Sequence, residues 1–197
     1  MNNLSRDKQI QIIAALVDGL GQRAVSRITD TDRKTVARLA LRIGLGCAEL
    51  HDRMMVGLRV SRCELDELWS YVGHKRNPQH GKPSLSPVRG DQYTYVALAS
   101  STRAIIAYRT GKRTSATTDD FIQDLRQRVI GLPEISTDGF LPYQNAIRDA
   151  FGNRVAHGVI NKTYSVTHLA VNEASRRYSP AQVIAVERDV VSLVSDV

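Results

Sequence analysis

Two aspartates stand where a carboxylate can bind a cation. Asp66 lies inside the apolar run CELDELWSYVG, where a charged side chain costs free energy unless it is paired or bound to a metal ion. Asp138 ends the run EISTD and precedes Gly139, so it is predicted to point beyond the end of a strand. If the two strands are neighbours, the carboxylates meet, and such hard oxygen ligands hold Mg²⁺ or Mn²⁺. Metal ions held in this way assist phosphoryl displacement, whereas either aspartate alone is more typical of a cap or a turn.

A second candidate site is the basic face of a helix near the N-terminus. Its apolar residues recur at helical spacing, and they are Val36, Leu39, Ala40 and Ile43. We expect Gly44 and Gly46 to end this helix. Its other face and its first turn carry the candidate DNA-binding residues, which are Arg33, Lys34, Thr35, Arg38 and Arg42. With two preceding helices and a polar turn at 29–32, the pattern fits a helix-turn-helix that reads the major groove, and equally a small helical bundle with a solvated charged face.

The elements that must position the aspartates follow a strand-first order. Residues rich in strand formers predict strands at 65–72, 93–99 and 103–110. Helices are predicted at 114–130, 141–151 and 166–178, with strands at 134–137 and 155–160 between them. This order predicts an α/β (α+β) mixed sheet with helices on its faces. We therefore expect an all-α region at 1–50 and a second domain at 60–197. Trp69 is expected to pack in the core of that domain.

Charge and composition point to a polyanion as the partner. The chain has 197 residues and a net charge of +7, and 42% of its residues are hydrophobic. No apolar run is long enough for a membrane span and no secretory signal is visible, so a cytoplasmic protein without a membrane partner is expected. Cys47 and Cys63 match no zinc motif and no disulfide framework. Lys112 and Arg113 lack the upstream glycine of a phosphate-binding loop, but they are candidates for contacts with DNA phosphates.

Several segments together give the chain a family resemblance. The segments are SRITDTDRKTVARLALRIG, CAELHDRMM, DELWSYVGHK, GDQYTYVALASSTRAIIAYRTGKR and STDGFLPYQNAI. They resemble, in the same order, insertion-sequence transposases of the IS-one family, which carry an Asp-Asp-Glu catalytic core. The resemblance implies a ribonuclease-H-like fold after a helix-turn-helix, with Asp66 as the first catalytic acid and Asp138 as the second. It also implies Mg²⁺ or Mn²⁺ as cofactor and double-stranded DNA, both element ends and target, as the partner in the prokaryotic nucleoid. A homo-oligomer is a further possible partner, which the sequence leaves undecided.

The chain departs from this family at its C-terminus. Family members have a segment similar to S-x-Y-V-E-R-x-N whose glutamate is the third metal ligand, and no such segment follows residue 164. Glu173, on the predicted helix 166–178, and Glu187, in a valine-rich run that favours an edge strand, are the two weak candidates. The expectation is a transposase that has lost its C-terminal segment. The alternative is a catalytically inactive DNA-binding product that acts at most as a regulator.

Overall fold

The computed structural model describes residues 4–73, 88–164 and 183–192, and the chain divides into two compact units, Met1–Met54 and Met55–Val197. The first unit contains α1 (Arg6–Val17), α2 (Gln22–Ile28) and α3 (Arg33–Met54). The second begins with β1 (Leu58–Arg59), β2 (Arg62–Val72), β3 (Gly90–Ala99) and β4 (Ile105–Gly111). It continues with α4 (Ser115–Arg128), β5 (Val129–Ile130), β6 (Glu134–Thr137), α5 (Pro142–Phe151), β7 (His157–Tyr164) and β8 (Val183–Ser192). None of the helices within these ranges combines the length and apolar character needed to cross a membrane.

The first unit is a three-helix arrangement around a small apolar core. Its buried side chains are Ile12 of α1, Val25 of α2, and Val36 and Leu39 of α3. Asp32 ends the turn between α2 and α3, and its carboxylate accepts hydrogen bonds from the backbone N–H groups of Lys34 and Thr35. Such a cap satisfies donors that have no partner within the first turn of a helix. The predicted polar turn at 29–32 is therefore confirmed.

The predicted end of the third helix is wrong. Helix α3 continues through Gly44 and Gly46 to Met54. A glycine within a helix costs about 1 kcal/mol relative to alanine, which weakens a helix without stopping it. The residues after Gly46, CAELHDRM, contain mostly good helix formers and no proline, so this segment again favours a helix.

The second unit is built on a mixed six-stranded sheet with the order β4-β3-β2-β6-β7-β8. The pairs β4-β3, β3-β2 and β7-β8 are antiparallel, whereas β2-β6 and β6-β7 are parallel. The predicted mixed sheet is confirmed, as are its strands and the helices at 114–130 and 141–151, with one change. Residues Val129–Ile130 leave α4 and pair with Leu58–Arg59 as a separate parallel ladder. The predicted helix 166–178 lies outside the described residues.

One face of the sheet and helices α4 and α5 enclose the main core. Alternate residues of β2 and β3 supply the sheet side, for example Cys63, Leu65 and Tyr95. Phe121 of α4 and Tyr143 of α5 are also fully buried, and both rings pack against Tyr95. Burial raises the pKa of the Cys63 thiol to about 11, so this cysteine is a core residue rather than a nucleophile.

The expectation that Trp69 packs in the core is wrong. Trp69 is 48% exposed, although it shares the strand face of Cys63 and Leu65. Strand β2 extends beyond the buried cluster under α4 and α5, which on this strand includes Cys63 and Leu65. Trp69 instead contacts Tyr71, with 5.7 Å between the ring centroids.

His157, at the start of β7, gives this unit a pH-dependent stability. The side chain is 1% exposed, and burial lowers its pKa to about 4. The unfolded chain, with a histidine pKa of about 6.5, then binds more protons than the folded chain. The free energy of unfolding should therefore be fully retained above about pH 6.5 and fall by up to about 1.4 kcal/mol per pH unit as the pH drops towards about 4.

This dependence can be measured by urea unfolding at a series of pH values. The single tryptophan, Trp69, lies in β2, so its fluorescence reports on this unit. His157→Gln keeps a polar side chain but removes the titrating ring, and it should flatten the dependence between about pH 6.5 and pH 5. An equal slope in the parent and the variant would show that His157 does not cause it.

Candidate functional site

An open groove lies on the face of the sheet opposite the core. Alternation along β2 and β6 directs Glu64 and Asp66 away from the helices, whereas Cys63, Leu65 and Ile135 point into the core. The groove has a volume of about 1140 Å³. The charged and polar residues that line it from β2, β6 and the turn after β6 include Arg62, Glu64, Asp66, Glu134, Ser136 and Asp138.

The pairing of β2 with β6 sets the two predicted acids at the same level. The strands are parallel, and their Cα partners include Arg62 with Glu134 and Glu64 with Ser136. Two residues further along each chain come Asp66 and Asp138, the latter just after the end of β6. Adjacent strands lie about 4.8 Å apart, so the two residues occupy neighbouring positions at one end of the groove.

Arg113 joins Asp138 to a carboxylate that the sequence did not single out. The Arg113 guanidinium lies 3.0 Å from Asp138 Oδ2 and 3.2 Å from Glu67 Oε2. It also lies over the ring of Phe140, 3.9 Å from the ring centroid. The second oxygen of Asp138 accepts a hydrogen bond from the Phe140 N–H. Asp138 is therefore held from two sides, and Arg113 is bound to protein carboxylates rather than directed at solvent.

Glu67 is the most deeply buried carboxylate of this cluster. Its side chain is 4% exposed, and burial raises its pKa, although the neighbouring Tyr143 and Arg113 act in the opposite direction. Burial and the nearby Glu67 charge also raise the pKa of Tyr143. Tyr143 OH interacts with this carboxylate, yet within the described part of the chain neither Tyr143 OH nor Glu67 Oε1 has a hydrogen-bond partner of good geometry. Glu67 is therefore held by Arg113 at Oε2 and lies beside the Tyr143 hydroxyl.

The turn that carries Asp138 is fixed by β7. The Thr137 hydroxyl donates to the Asp138 carbonyl oxygen and lies 2.9 Å from His157 Nε2. Since the hydroxyl proton is used in this way, Nε2–H of His157 is the donor to Thr137. On the other side of the turn, a Cβ atom at Gly139 would lie 2.2 Å from Asn161 Oδ1. A side chain at position 139 would therefore force the Asn161 side chain to move.

The candidate third acids do not join this cluster among the described residues. Glu187 lies in β8, the edge strand, opposite Asn161, and its neighbour Asp189 accepts a hydrogen bond from the Asn161 amide. Within residues 4–73, 88–164 and 183–192, no three histidine, cysteine, aspartate or glutamate side chains form a group that could hold a metal ion. Glu173 lies outside the described residues.

The predicted DNA-binding residues lie on the first three turns of α3. Arg33, Lys34, Arg38 and Arg42 are exposed, and Thr35 is half-buried. Two of these arginines make side-chain hydrogen bonds within the unit. Arg38 donates to the Thr35 hydroxyl, and Arg42 donates to the Gln9 side chain of α1. Lys112, the other predicted phosphate contact, donates to the carbonyl oxygens of Arg89 and Asp91.

The chain is only weakly similar to known proteins. No family model matches the chain, and no curated protein does. The solved structures similar to it include the Mos1 strand transfer complex, with a TM-score of 0.31 and 16% identity over 77% of this chain. Another is the Mos1 transposase paired-end complex with the left transposon end, with a TM-score of 0.29 and 15% identity, also over 77% of this chain. The chain covers 57% and 58% of those two proteins.

The close approach of Gly139 to Asn161 gives a test of the site's geometry. Gly139→Ala should lower the free energy of unfolding by about 1–3 kcal/mol, because the added methyl group overlaps Asn161 Oδ1. Gly158→Ala, in the same groove, is the matched control, since its new Cβ would come no closer than 3.9 Å to a backbone oxygen, that of Asp189. Urea unfolding followed by Trp69 fluorescence measures both.

A second substitution identifies the cause. Adding Asn161→Ala to Gly139→Ala removes the overlapping atom, so most of the lost stability should return. If the double variant is no more stable than Gly139→Ala alone, the side chain of Asn161 is not what excludes a methyl group at position 139.

Proposed function

We propose that this chain is a DNA transposase of the insertion-sequence type, with a ribonuclease-H-like second unit and a DNA-binding helix-turn-helix in the first. The observation that carries the proposal is the parallel pairing of β2 with β6, which brings Asp66 and Asp138 to one end of an open groove. The order of three antiparallel strands, a helix, a strand, a helix and a strand agrees with such a core. The finer assignment to the IS-one family depends on the sequence segments that resemble it.

The groove offers oxygen donors that suit a divalent cation. Asp66 and Asp138 supply carboxylate oxygens, the hard ligands that Mg²⁺ and Mn²⁺ prefer. In the proposed function Asp66 and Asp138 would hold the metal ion, which supplies charge stabilisation for attack on a DNA phosphate.

The chain's own residues would orient the DNA strand. The groove is open along β2, β6 and β7, and its lining includes the basic residues Lys162 and Arg188 beside the acidic ones. Phosphate contacts of this type position a strand without reading its sequence. Sequence would be read by the first turns of α3, where Lys34 and Arg38 are exposed on the face opposite Val36 and Leu39.

A DNA-binding regulator without catalytic activity is the second candidate function. Within the described ranges, no third acidic side chain completes a metal-binding group with Asp66 and Asp138. Two carboxylates are a thin ligand set for Mg²⁺ unless substrate phosphates complete it. DNA binding by α3 does not depend on the metal ligands, so an experiment can distinguish the two functions.

DNA binding by α3 can be measured with a fluorescent duplex of mixed sequence at several salt concentrations. The Lys34→Ala/Arg38→Ala double variant should bind more weakly and lower the salt slope by about one unit for each phosphate that the two side chains neutralise. Arg6→Ala/Arg53→Ala removes the same charge from exposed positions away from the first turns of α3 and is the matched control. Equal effects in the two double variants would mean that the cause is general charge rather than the face of α3.

Cleavage can be measured as nicking of supercoiled plasmid DNA in Mg²⁺ or Mn²⁺. Asp66→Asn and Asp138→Asn should each lower the rate at least about a hundredfold, because metal-assisted charge stabilisation supplies several kcal/mol. Glu64→Gln removes one charge from the same strand and the same groove, and it should nick like the parent. DNA binding with no nicking by the parent chain would favour the regulator.

A further inference from the structure

Two exposed arginines on the first half of α3 have different hydrogen-bond partners. Arg42 donates from Nη2 to the side-chain oxygen of Gln9 on α1, at 2.9 Å, so its guanidinium is turned back onto the unit. Arg38, one turn earlier, donates from Nη2 to the Thr35 hydroxyl of the same helix, at 3.2 Å. The two arginines carry the same charge, but only Arg38 is oriented by a side chain of its own helix.

The hydrogen bond to Thr35 directs the Arg38 guanidinium towards the N-terminal turns of α3. Thr35 lies three positions before Arg38, so the two side chains are neighbours on the helix surface. Side chains of a helix lean towards its N-terminus, and this contact holds the long arginine side chain in that direction. In a helix-turn-helix, the N-terminal residues of the second helix contact the base edges. The Arg38 guanidinium is therefore held near the turns that such a helix places at the bases.

The start of α3 is itself tied to α2. The Ser26 hydroxyl donates to the Thr31 carbonyl oxygen at 2.7 Å, and the Thr31 N–H donates to the Ser26 carbonyl oxygen at 3.1 Å. The Thr29 hydroxyl donates to the carbonyl oxygen of Val25, and both threonines are buried. Asp32 then caps the first turn of α3. Because these groups are already ordered, a side chain on this helix can meet a base edge without further ordering of the turn.

We propose that Arg38 reads a guanine base in the major groove and that Thr35 is the residue that positions it. The inference rests on the proposed DNA binding by α3, and it names the base and the side chain that reads it. The arginine fork donates two hydrogen bonds to O6 and N7 of guanine, and the donor used on Thr35 leaves others for this pair. Arg42, held by Gln9, adds positive charge near the phosphates but reads no base.

Selection of preferred sites by the full chain from a pool of random DNA duplexes tests this assignment. The parent should enrich sites that share a guanine. Glutamine makes the corresponding bidentate pair with adenine, so Arg38→Gln should change the preferred base at that one position from guanine to adenine. The relative affinity for the two bases should change by at least about fivefold, the smallest discrimination that a good bidentate pair gives.

Arg42→Gln is the matched control for Arg38→Gln. It makes the same chemical change one turn further along α3, at the arginine that Gln9 holds. It should leave the preferred base unchanged at every position of the selected sites, although it can lower the affinity for all duplexes alike.

The positioning role of Thr35 has its own pair of variants. Thr35→Val removes the hydroxyl and keeps the shape of the side chain, so the preference for guanine at the position read by Arg38 should fall by at least about twofold. The dependence of affinity on salt should stay that of the parent, because no charge is lost. Thr35→Ser keeps the hydroxyl and should retain the preference. A Thr35→Val variant with a lower Tm but an unchanged preference would show that Thr35 only stabilises the helix, which would overturn its positioning role.

The possible outcomes distinguish this inference from the proposed function. If the parent enriches no guanine, or if Arg38→Gln weakens binding to all duplexes alike, Arg38 contacts phosphates only and the inference is overturned, while plasmid nicking still tests the transposase. A change of preferred base together with no nicking by the parent would keep the inference and favour the regulator. A parent that binds no duplex would overturn both the inference and the DNA binding on which it rests.

Discussion

The parallel pairing of β2 with β6 is the constraint on which the second unit depends. Two parallel strands cannot be joined by a hairpin, so the chain has to cross over between them, and α4 lies within that crossover. The helices α4 and α5 then bury one face of the sheet and leave the acidic side chains of β2 and β6 on the other. A shift of this register by one residue would turn Asp66 into the core and expose Leu65, which the hydrophobic core strongly opposes.

Glu67 is a buried polar side chain that links several elements of this unit. It lies on the apolar face of β2, where an isolated charge is unfavourable, and it therefore requires partners from other elements. Arg113 comes from the end of β4 and Tyr143 from α5, so one buried carboxylate ties three parts of the unit together. The Arg113 guanidinium also pairs with Asp138, so it links Glu67 to the turn after β6. Stability and the geometry of the groove are thus controlled by the same side chains.

Local patterns were sufficient to predict most of the elements. Alternation and helical spacing located β2, β3, β4, β6 and α5, because burial on one face imposes those periods directly. The predicted end of α3 was wrong because two glycines weaken a helix less than the helix formers after them support it. The prediction that Trp69 is buried was wrong because a strand pattern does not show how far the covering helices extend. Asp66 and Asp138 could be selected by their positions in strands, and their catalytic role stays a prediction. The link between Glu67 and Arg113 depends on tertiary contacts across 46 positions of the chain, which no local pattern contains.

The tight fit of Gly139 against Asn161 has an evolutionary consequence. A side chain at position 139 is blocked only while Asn161 keeps its amide oxygen in place. Replacement of Asn161 is therefore tolerated first, and replacement of Gly139 afterwards, whereas the opposite order passes through a strained intermediate. The cost of replacing Gly139 should therefore depend on the residue at position 161, so the two positions should show epistasis in magnitude.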